Sequence, residues 1–146
     1  MSSQTFAADI AAFVKKANGN ADRVVKKIVF DLGTRIVMRS PVGDGLLWKS
    51  PPPPGYVGGR FRANWQYGFG VQPAGDLPDI DKSGGASTMR IAAGVKSAPA
   101  AGIHYLVNNL PYAKRLEDGH STQAPAGMVG LTALEFQTIA KEAAEK

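Results

Sequence analysis

The chain has 146 residues, 44% of them hydrophobic and 20% charged, which is enough for one domain with its own core and short for two. No apolar run approaches the roughly 20 residues of a membrane-spanning helix, and the first ten residues lack the pattern of a secretory signal. Cysteine is absent, which excludes disulfides and thiolate metal sites and fits folding in a reducing cytoplasm.

The formal net charge of +5 is concentrated near the N-terminus. Between Lys15 and Arg39, seven basic residues stand against two acidic ones, so this segment alone carries the whole surplus. Such a segment can bind nucleic acid or an acidic protein, or it can form the solvated face of a helix. Its candidate DNA-facing residues are Lys26, Lys27, Arg35 and Arg39.

Two helices are predicted before residue 40. Apolar residues at helical spacing predict the first over residues 4–17, and Asn18-Gly19-Asn20 is expected to end it, because Gly and Asn tolerate the left-handed conformation. The second is predicted from about Ala21 to Arg39, and Ser40-Pro41 ends it. This second helix carries two apolar groups on different sides, so we expect it to be covered on more than one side, by its own domain or by a neighbouring subunit.

A loop rich in proline and glycine is predicted over residues 40–60. Pro51–Pro54 should form a short polyproline II rod, and apolar anchors flank it at Leu46, Leu47, Trp48 and Tyr56. Long loops inside a compact domain are usually functional or disordered. The anchors either dock on a partner or fold back on their own domain, and we interpret the loop as an interaction element.

Two strands are predicted in the middle of the chain. Residues 61–72 alternate apolar and polar types over twelve positions, which is typical of a strand with one wet face in an antiparallel sheet. Residues 103–108 alternate in the same way and predict a second, more buried strand. Residues 86–95 between them fit a helix or a strand, and we prefer the helix.

The C-terminal part is predicted to be helical. A short helix should begin at Pro111 and end at Gly119, with Glu117 and Asp118 pointing outward. A last helix should follow over residues 127–144. Its apolar residues are available for packing: Met128, Leu131, Leu134, Phe136, Ile139, Ala140 and Ala143. The predicted fold class is α+β, a single domain over residues 1–146, with long N-terminal helices and a C-terminal helix packed on a small, mostly antiparallel sheet.

The residue types of a hydrolase triad occur together around His120. It stands beside Glu117, Asp118 and Ser121, but four residues at one helix end do not orient one another in line, and no G-x-S-x-G turn accompanies them. His104 is expected to be a packed, hydrogen-bonded strand residue. Two histidines without cysteine leave no recognisable metal-ligand spacing. We therefore predict a protein that is not an enzyme, with no catalytic residues, no cofactor and no metal.

Two segments of the sequence carry a resemblance to a known family. The first is SPVGDG followed by GGRFRANW, and the second is VNNLPYAKRLEDGHSTQAPAGMVGLTALEFQ, which begins at Val107. They resemble the neck and tail-completion proteins of long-tailed bacteriophages. The proline-containing insert in the first segment departs from the family pattern. In the second, Asp118 stands where an aromatic residue is more usual and Gly130 where a basic one is.

The resemblance implies a structural virion subunit. Copies would assemble into a homo-oligomeric ring at the head–tail junction, which completes or caps the tail tube and joins it to the head connector. The implied partners are the tail tube protein, the head-completion or connector proteins and, through non-specific contact, packaged DNA, with no membrane. The implied location is the virion neck, after assembly in the host cytoplasm. The candidate subunit or partner contacts are Leu47, Trp48, Tyr56, Arg60, Arg62, Arg115, Glu117, His120 and Ser121.

The alternative function is a cytoplasmic nucleic-acid-binding module that uses the basic 15–39 segment. A ring subunit needs a head-to-tail interface whose repetition closes the ring. A nucleic-acid-binding module instead needs basic side chains that are clustered on one surface and not paired within the chain. A small hydrolase built on His120 is the third hypothesis and the weakest.

Overall fold

A single long helix, α1, spans Ser3–Arg39. The structure is a computed structural model that describes residues 3–42, 58–119, 121 and 123–145, with side chains described at residue 10 and from residue 19 onward. The prediction of two helices is wrong. Gly19 is exposed and does not adopt a positive φ. A helical glycine costs only about 1 kcal/mol relative to alanine, which is too little to end a helix whose pattern resumes on both sides.

The other described elements follow α1 in chain order. They are α2 (Arg60–Ala63), β1 (Trp65–Phe69), α3 (Gly85–Ser97), β2 (His104–Asn108), α4 (Ala113–Glu117), α5 (Val129–Leu134) and α6 (Phe136–Glu145). The α+β fold class is confirmed, with a long N-terminal helix and a C-terminal helix packed around a small antiparallel sheet. The preferred helix over residues 86–95 is confirmed as α3. Among the described helices, none is long and apolar enough to cross a membrane.

The predicted strand over residues 61–72 is only partly correct. Its first residues form α2, a single helical turn that follows Gly59, whose φ is +104°. Phe61 and Ala63 are nevertheless buried, because the turn packs on α3 and Phe61 joins the core cluster that includes residues of α1. The strand ends at Phe69, and Val71, predicted to lie on the apolar face, is 77% exposed. At the start of this segment, the alternating pattern predicted correctly which side chains are buried. It predicted the wrong backbone conformation there, a strand in place of a helical turn.

The sheet consists of β1 and β2 in antiparallel pairing. Trp65 lies opposite Asn108, Tyr67 opposite Leu106 and Phe69 opposite His104. A two-stranded sheet is marginal alone in water, and here α3 and α1 support one face. Tyr67 packs against Gly94 of α3, where a Cβ would lie 2.6 Å from its ring. The strand β2 was expected to be the more buried one, yet all five of its residues are only half-buried.

The helix predicted over residues 127–144 is interrupted at Glu135, which separates α5 from α6. Of the residues expected to be available for packing, Leu134 is 84% exposed and Phe136 48% exposed, so neither is part of the core. Met128, Ile139 and Ala143 are buried as predicted.

The main core cluster consists of Val29, Ile36, Val37, Phe61, Trp65, Ile91, Val95, Leu110, Ala124 and Met128.

Candidate functional site

Arg62 joins the C-terminal end of α1 to the middle of the chain. Its guanidinium donates hydrogen bonds to the carbonyls of Ser40 (2.9 Å), Lys82 (2.7 Å) and Met38 (3.1 Å). The Ser40 hydroxyl accepts a hydrogen bond from the indole of Trp65 at 2.7 Å and donates one to the carbonyl of Ile36. A cation close to the last carbonyls of a helix also interacts favourably with its dipole. Arg62, a candidate partner contact, therefore has a structural role within its own domain.

The carboxylate of Glu117 organises the approach to α5. It accepts hydrogen bonds from the main-chain N–H groups of Met128 (3.0 Å), Val129 (2.8 Å) and Gly130 (3.0 Å). Partial burial by itself raises the pKa of this carboxyl, but the three hydrogen bonds outweigh that effect, and its pKa lies below the usual value. The prediction that Glu117 points outward is wrong, because the following loop folds back over it.

Two glycines allow that loop to close. Gly119 has a φ of +90°, and a Cβ there would lie 2.4 Å from the carbonyl oxygen of Pro125. Gly127 has a φ of +82°, and its Cβ would lie 2.4 Å from the carbonyl oxygen of Glu117. Side chains are therefore excluded at both positions by backbone conformation and by space. The expected end of the short helix at Gly119 is confirmed.

Arg35 and Arg39 of α1 both pair with the carboxylate of Glu135 at the α5–α6 break. Arg39 also donates a hydrogen bond to the hydroxyl of Thr132 at 3.1 Å. The hydrogen bond from Arg39 and the positive charges of both arginines lower the pKa of Glu135. Two of the four candidate DNA-facing residues therefore lie in a contact that attaches the C-terminal helices to α1.

The other two candidate DNA-facing residues also have contacts within the chain. Lys26 donates to the carbonyl of Lys96 at 3.1 Å, near the end of α3. Lys27 forms an ion pair with Asp31 at 3.1 Å, one turn further along α1. Such partly exposed pairs contribute little stability and are screened by salt. The structure thus brings Arg35 and Arg39 together, and it gives Lys26 and Lys27 separate partners.

The remaining candidate contacts lie apart from one another. Arg60 is exposed and pairs with Asp76 at 2.6 Å, and Arg115 is exposed on α4. Ser121 accepts a hydrogen bond from the N–H of Gln123 at 3.2 Å, which is a local turn contact. Four candidates lie outside the described residues, namely Leu47, Trp48, Tyr56 and His120. The described candidates therefore do not form one continuous site.

His104 is hydrogen-bonded inside the fold, as the sequence indicated. Its Nε2 lies 2.7 Å from the carbonyl of Ala100, which can only accept, so Nε2 carries the proton. Its Nδ1 is then free to accept from the hydroxyl of Tyr67 at 2.6 Å. Burial raises the pKa of that Tyr67 hydroxyl. Within the part of the chain that the structure describes, no cluster of three His, Asp or Glu residues is placed to hold a metal ion.

An apolar corner at the α5–α6 break was missed by the sequence reasoning. We define the α5–α6 corner as Val129 (45% exposed), Leu131 (36%), Leu134 (84%) and Phe136 (48%). These residues lie within eight positions of one another, and the adjacent Glu135 is fixed to α1 by two arginines. Exposed apolar residues concentrated in one short segment mark a candidate contact with another protein. The sequence carried one signal for this corner. The C-terminal helices hold more apolar residues than the two helix faces that pack against α1 can bury.

Comparison of the chain with models of protein families, with curated proteins and with solved structures gave no match.

Proposed function

We propose that this chain is a structural subunit of the head–tail junction of a long-tailed bacteriophage. In this function, copies of the chain form a ring that completes the tail tube and joins it to the head connector. The observation that carries the proposal is the agreement between residues 108–129 and the pattern of the neck and tail-completion proteins, in which many different residue types fall in register.

The structure supports the proposal by giving a physical reason for part of that agreement. Glu117, Gly119 and Gly127 lie within the matching run, and each satisfies a constraint that few other residues can meet. A loop that needs one carboxylate and two positive-φ glycines at fixed spacing is a specific structural unit. The matching residues therefore specify a particular fold of the chain, which favours a shared architecture over a chance similarity.

The α5–α6 corner suits a subunit that buries surface against its neighbours. Interfaces need a central apolar cluster, and a cluster that is held rigidly loses less entropy on association. Leu134 is the most exposed member, and the Glu135 ion pairs hold its neighbouring backbone. We assign this corner to a contact between adjacent subunits of the ring.

The proposal is tested in a phage that encodes this chain. Disruption of the gene should yield filled heads and tails that do not join, and mass spectrometry should detect the chain in purified wild-type particles. Absence of the chain from joined particles would overturn the proposal.

A pair of variants tests the corner separately. Leu134→Lys should fold normally but fail to restore joined particles, whereas Val71→Lys, at an equally exposed site outside the corner, should restore them. Equal restoration by both variants would exclude the corner as the contact.

The nucleic-acid-binding alternative makes a different prediction. Because Lys27, Arg35 and Arg39 are in intramolecular ion pairs, the isolated protein should bind duplex DNA weakly at physiological salt. Fluorescence anisotropy with a labelled duplex measures this directly. Submicromolar binding that weakens steeply with salt would favour the alternative.

A further inference from the structure

The outer edge of β2 follows from the hydrogen-bond pattern of the sheet. The N–H of Gly70 donates to the carbonyl of Ile103 at 2.9 Å, so these two residues form a hydrogen-bonded pair. Such pairs alternate along an antiparallel ladder. In the observed register, the main-chain groups of His104, Leu106 and Asn108 therefore point away from β1. By the same rule, the main-chain N–H and C=O of Trp65 point away from β2 at the other edge of the sheet. The Trp65 carbonyl accepts a hydrogen bond from the guanidinium of Arg90 at 2.9 Å.

The two edges differ in protection. Arg90 of α3 covers the beginning of the β1 edge through the carbonyls of Ala63 and Trp65. At the β2 edge, no hydrogen bond among the described residues reaches the outward main-chain groups of His104 or Leu106. Natural edge strands are normally blunted by charged residues, proline or bulges. Residues 100–110 contain no charged residue and no proline.

We propose that the β2 edge is an interface that pairs with β2 of a second copy of this chain. Leu106 would lie opposite Leu106 of the second copy, which sets His104 opposite Asn108 and Tyr105 opposite Val107. This register pairs all five residues of both strands and satisfies the outward N–H and C=O groups of each. It places no like charges together, and an aromatic residue opposite a β-branched one is a favourable cross-strand pair. The strand is thus complementary to itself.

The inference goes beyond the proposed function and does not rest on it. Pairing would convert the marginal two-stranded sheet into a four-stranded one, which is more stable. Two five-residue strands bury much less than the about 1,000 Å² of a stable interface. The dimer is therefore weak by itself and forms at high protein concentration.

The absence of cysteine allows a sharp test of the register. Tyr105 and Val107 of the second copy form a non-hydrogen-bonded pair with Cα atoms about 4.5 Å apart, within the roughly 4.4–6.8 Å that a disulfide requires. Two Tyr105 residues, or two Val107 residues, would lie on a diagonal of about 7–8 Å, which is too far. A mixture of Tyr105→Cys and Val107→Cys proteins should therefore cross-link, and each alone should not.

The expected result is a disulfide dimer that forms in the mixture about tenfold faster than in either protein alone, because pairing holds the two thiols at an effective concentration about tenfold above the millimolar dissociation constant. The control is Val71→Cys, which is exposed but lies outside β2 and should not cross-link preferentially with either variant. Circular dichroism checks that each variant is folded. Sedimentation of the wild-type chain supplies a readout that needs no variant, and it should show reversible dimerisation.

Equal cross-linking rates in all mixtures would overturn the inference. A wild-type chain that stays monomeric at about millimolar concentration would also overturn it, because the proposed pairing should be populated there. Self-linking of Tyr105→Cys as fast as the mixture would exclude this register and the pairing derived from it. Absence of the chain from phage particles would instead remove the proposed function and leave the pairing standing.

Discussion

Replacement of Glu117 by glutamine tests the importance of the loop that precedes α5. The carboxylate accepts three main-chain hydrogen bonds, and an amide of the same shape can accept with one oxygen only. Its NH2 group would face one of the N–H donors, so at least one bond is lost. A hydrogen bond to a charged group contributes about 1.5–3 kcal/mol and a neutral one about 1 kcal/mol.

The loss of one charged bond (about 1.5–3 kcal/mol) and the weakening of two others (about 0.5–2 kcal/mol each) would cost about 2.5–7 kcal/mol for Glu117→Gln in a fully buried site. Val129 and Gly130 are exposed, so water replaces part of the lost interaction and the expected cost is about 2 kcal/mol. For a domain of this size, a cost of about 2 kcal/mol lowers the melting temperature by about 4–8 °C. Urea denaturation at neutral pH measures the free energy of unfolding.

Asp118→Asn is the matched control, since it removes the same charge from the neighbouring residue. Among the described residues, Asp118 pairs with Lys114 alone, on the surface, where a pair contributes about 0–1 kcal/mol. If the two variants lose the same free energy of unfolding, Glu117 acts only through its charge, and the argument from three hydrogen bonds is refuted.

The same pair of proteins predicts a pH dependence. The pKa of Glu117 is lower in the folded chain than its ordinary value of 4.5. Its contribution is therefore complete above pH 4.5 and is lost as the pH falls through the folded-state pKa. The difference in unfolding free energy between the wild type and Glu117→Gln should be constant near neutral pH and should shrink below pH 4.5. A difference that grows with acidity would contradict the assigned hydrogen bonds.

Three further predictions concern other parts of the fold. Gly19→Ala should raise the unfolding free energy by about 0.5–1 kcal/mol, because Gly19 is helical with open space around it, whereas Gly127→Ala should lower it by about 1–3 kcal/mol through strain at positive φ. Arg62→Ala should lower it by about 2 kcal/mol in urea denaturation, since three carbonyls lose a charged donor. Glu135→Gln should speed hydrogen exchange in α6 and leave β1 unchanged, because both α1 arginines lose their charged partner; equal acceleration in β1 would contradict a local role.

The elements that the sequence predicted well are those whose signal is local. The helix α3, the strand β2 and the stop at Gly119 each follow from a short pattern of residue types. The burial of Phe61 and Trp65 was also evident from the alternation of residues, although Phe61 lies in a helical turn. An alternating pattern can therefore predict correctly which side chains are buried even where the backbone is helical, if the segment is packed on several sides.

The errors arise where distant parts of the chain decide the outcome. Glu117 was placed outward as one of the charged residues of the short helix, but the loop after Gly119 returns to cover it. The last helix was predicted to be continuous, and no proline or glycine marks its break. The break lies at Glu135, whose partners on α1 are about a hundred residues away in sequence. A single sequence carries no local signal for such pairs.

The distribution of charge changes how the surface should be interpreted. The basic surplus between Lys15 and Arg39 was compatible with a nucleic-acid contact, an acidic protein partner or a solvated helix face, and Arg35 and Arg39 instead pair with Glu135 at the break between α5 and α6. A cation that already pairs with a carboxylate must lose that pair before it can neutralise a phosphate, so its net contribution to DNA binding is small. Leu134, which precedes Glu135 in the chain, is 84% exposed. The two arginines of α1 therefore hold the α5–α6 break in place, and this contact is consistent with the proposed role of the adjacent corner in subunit association.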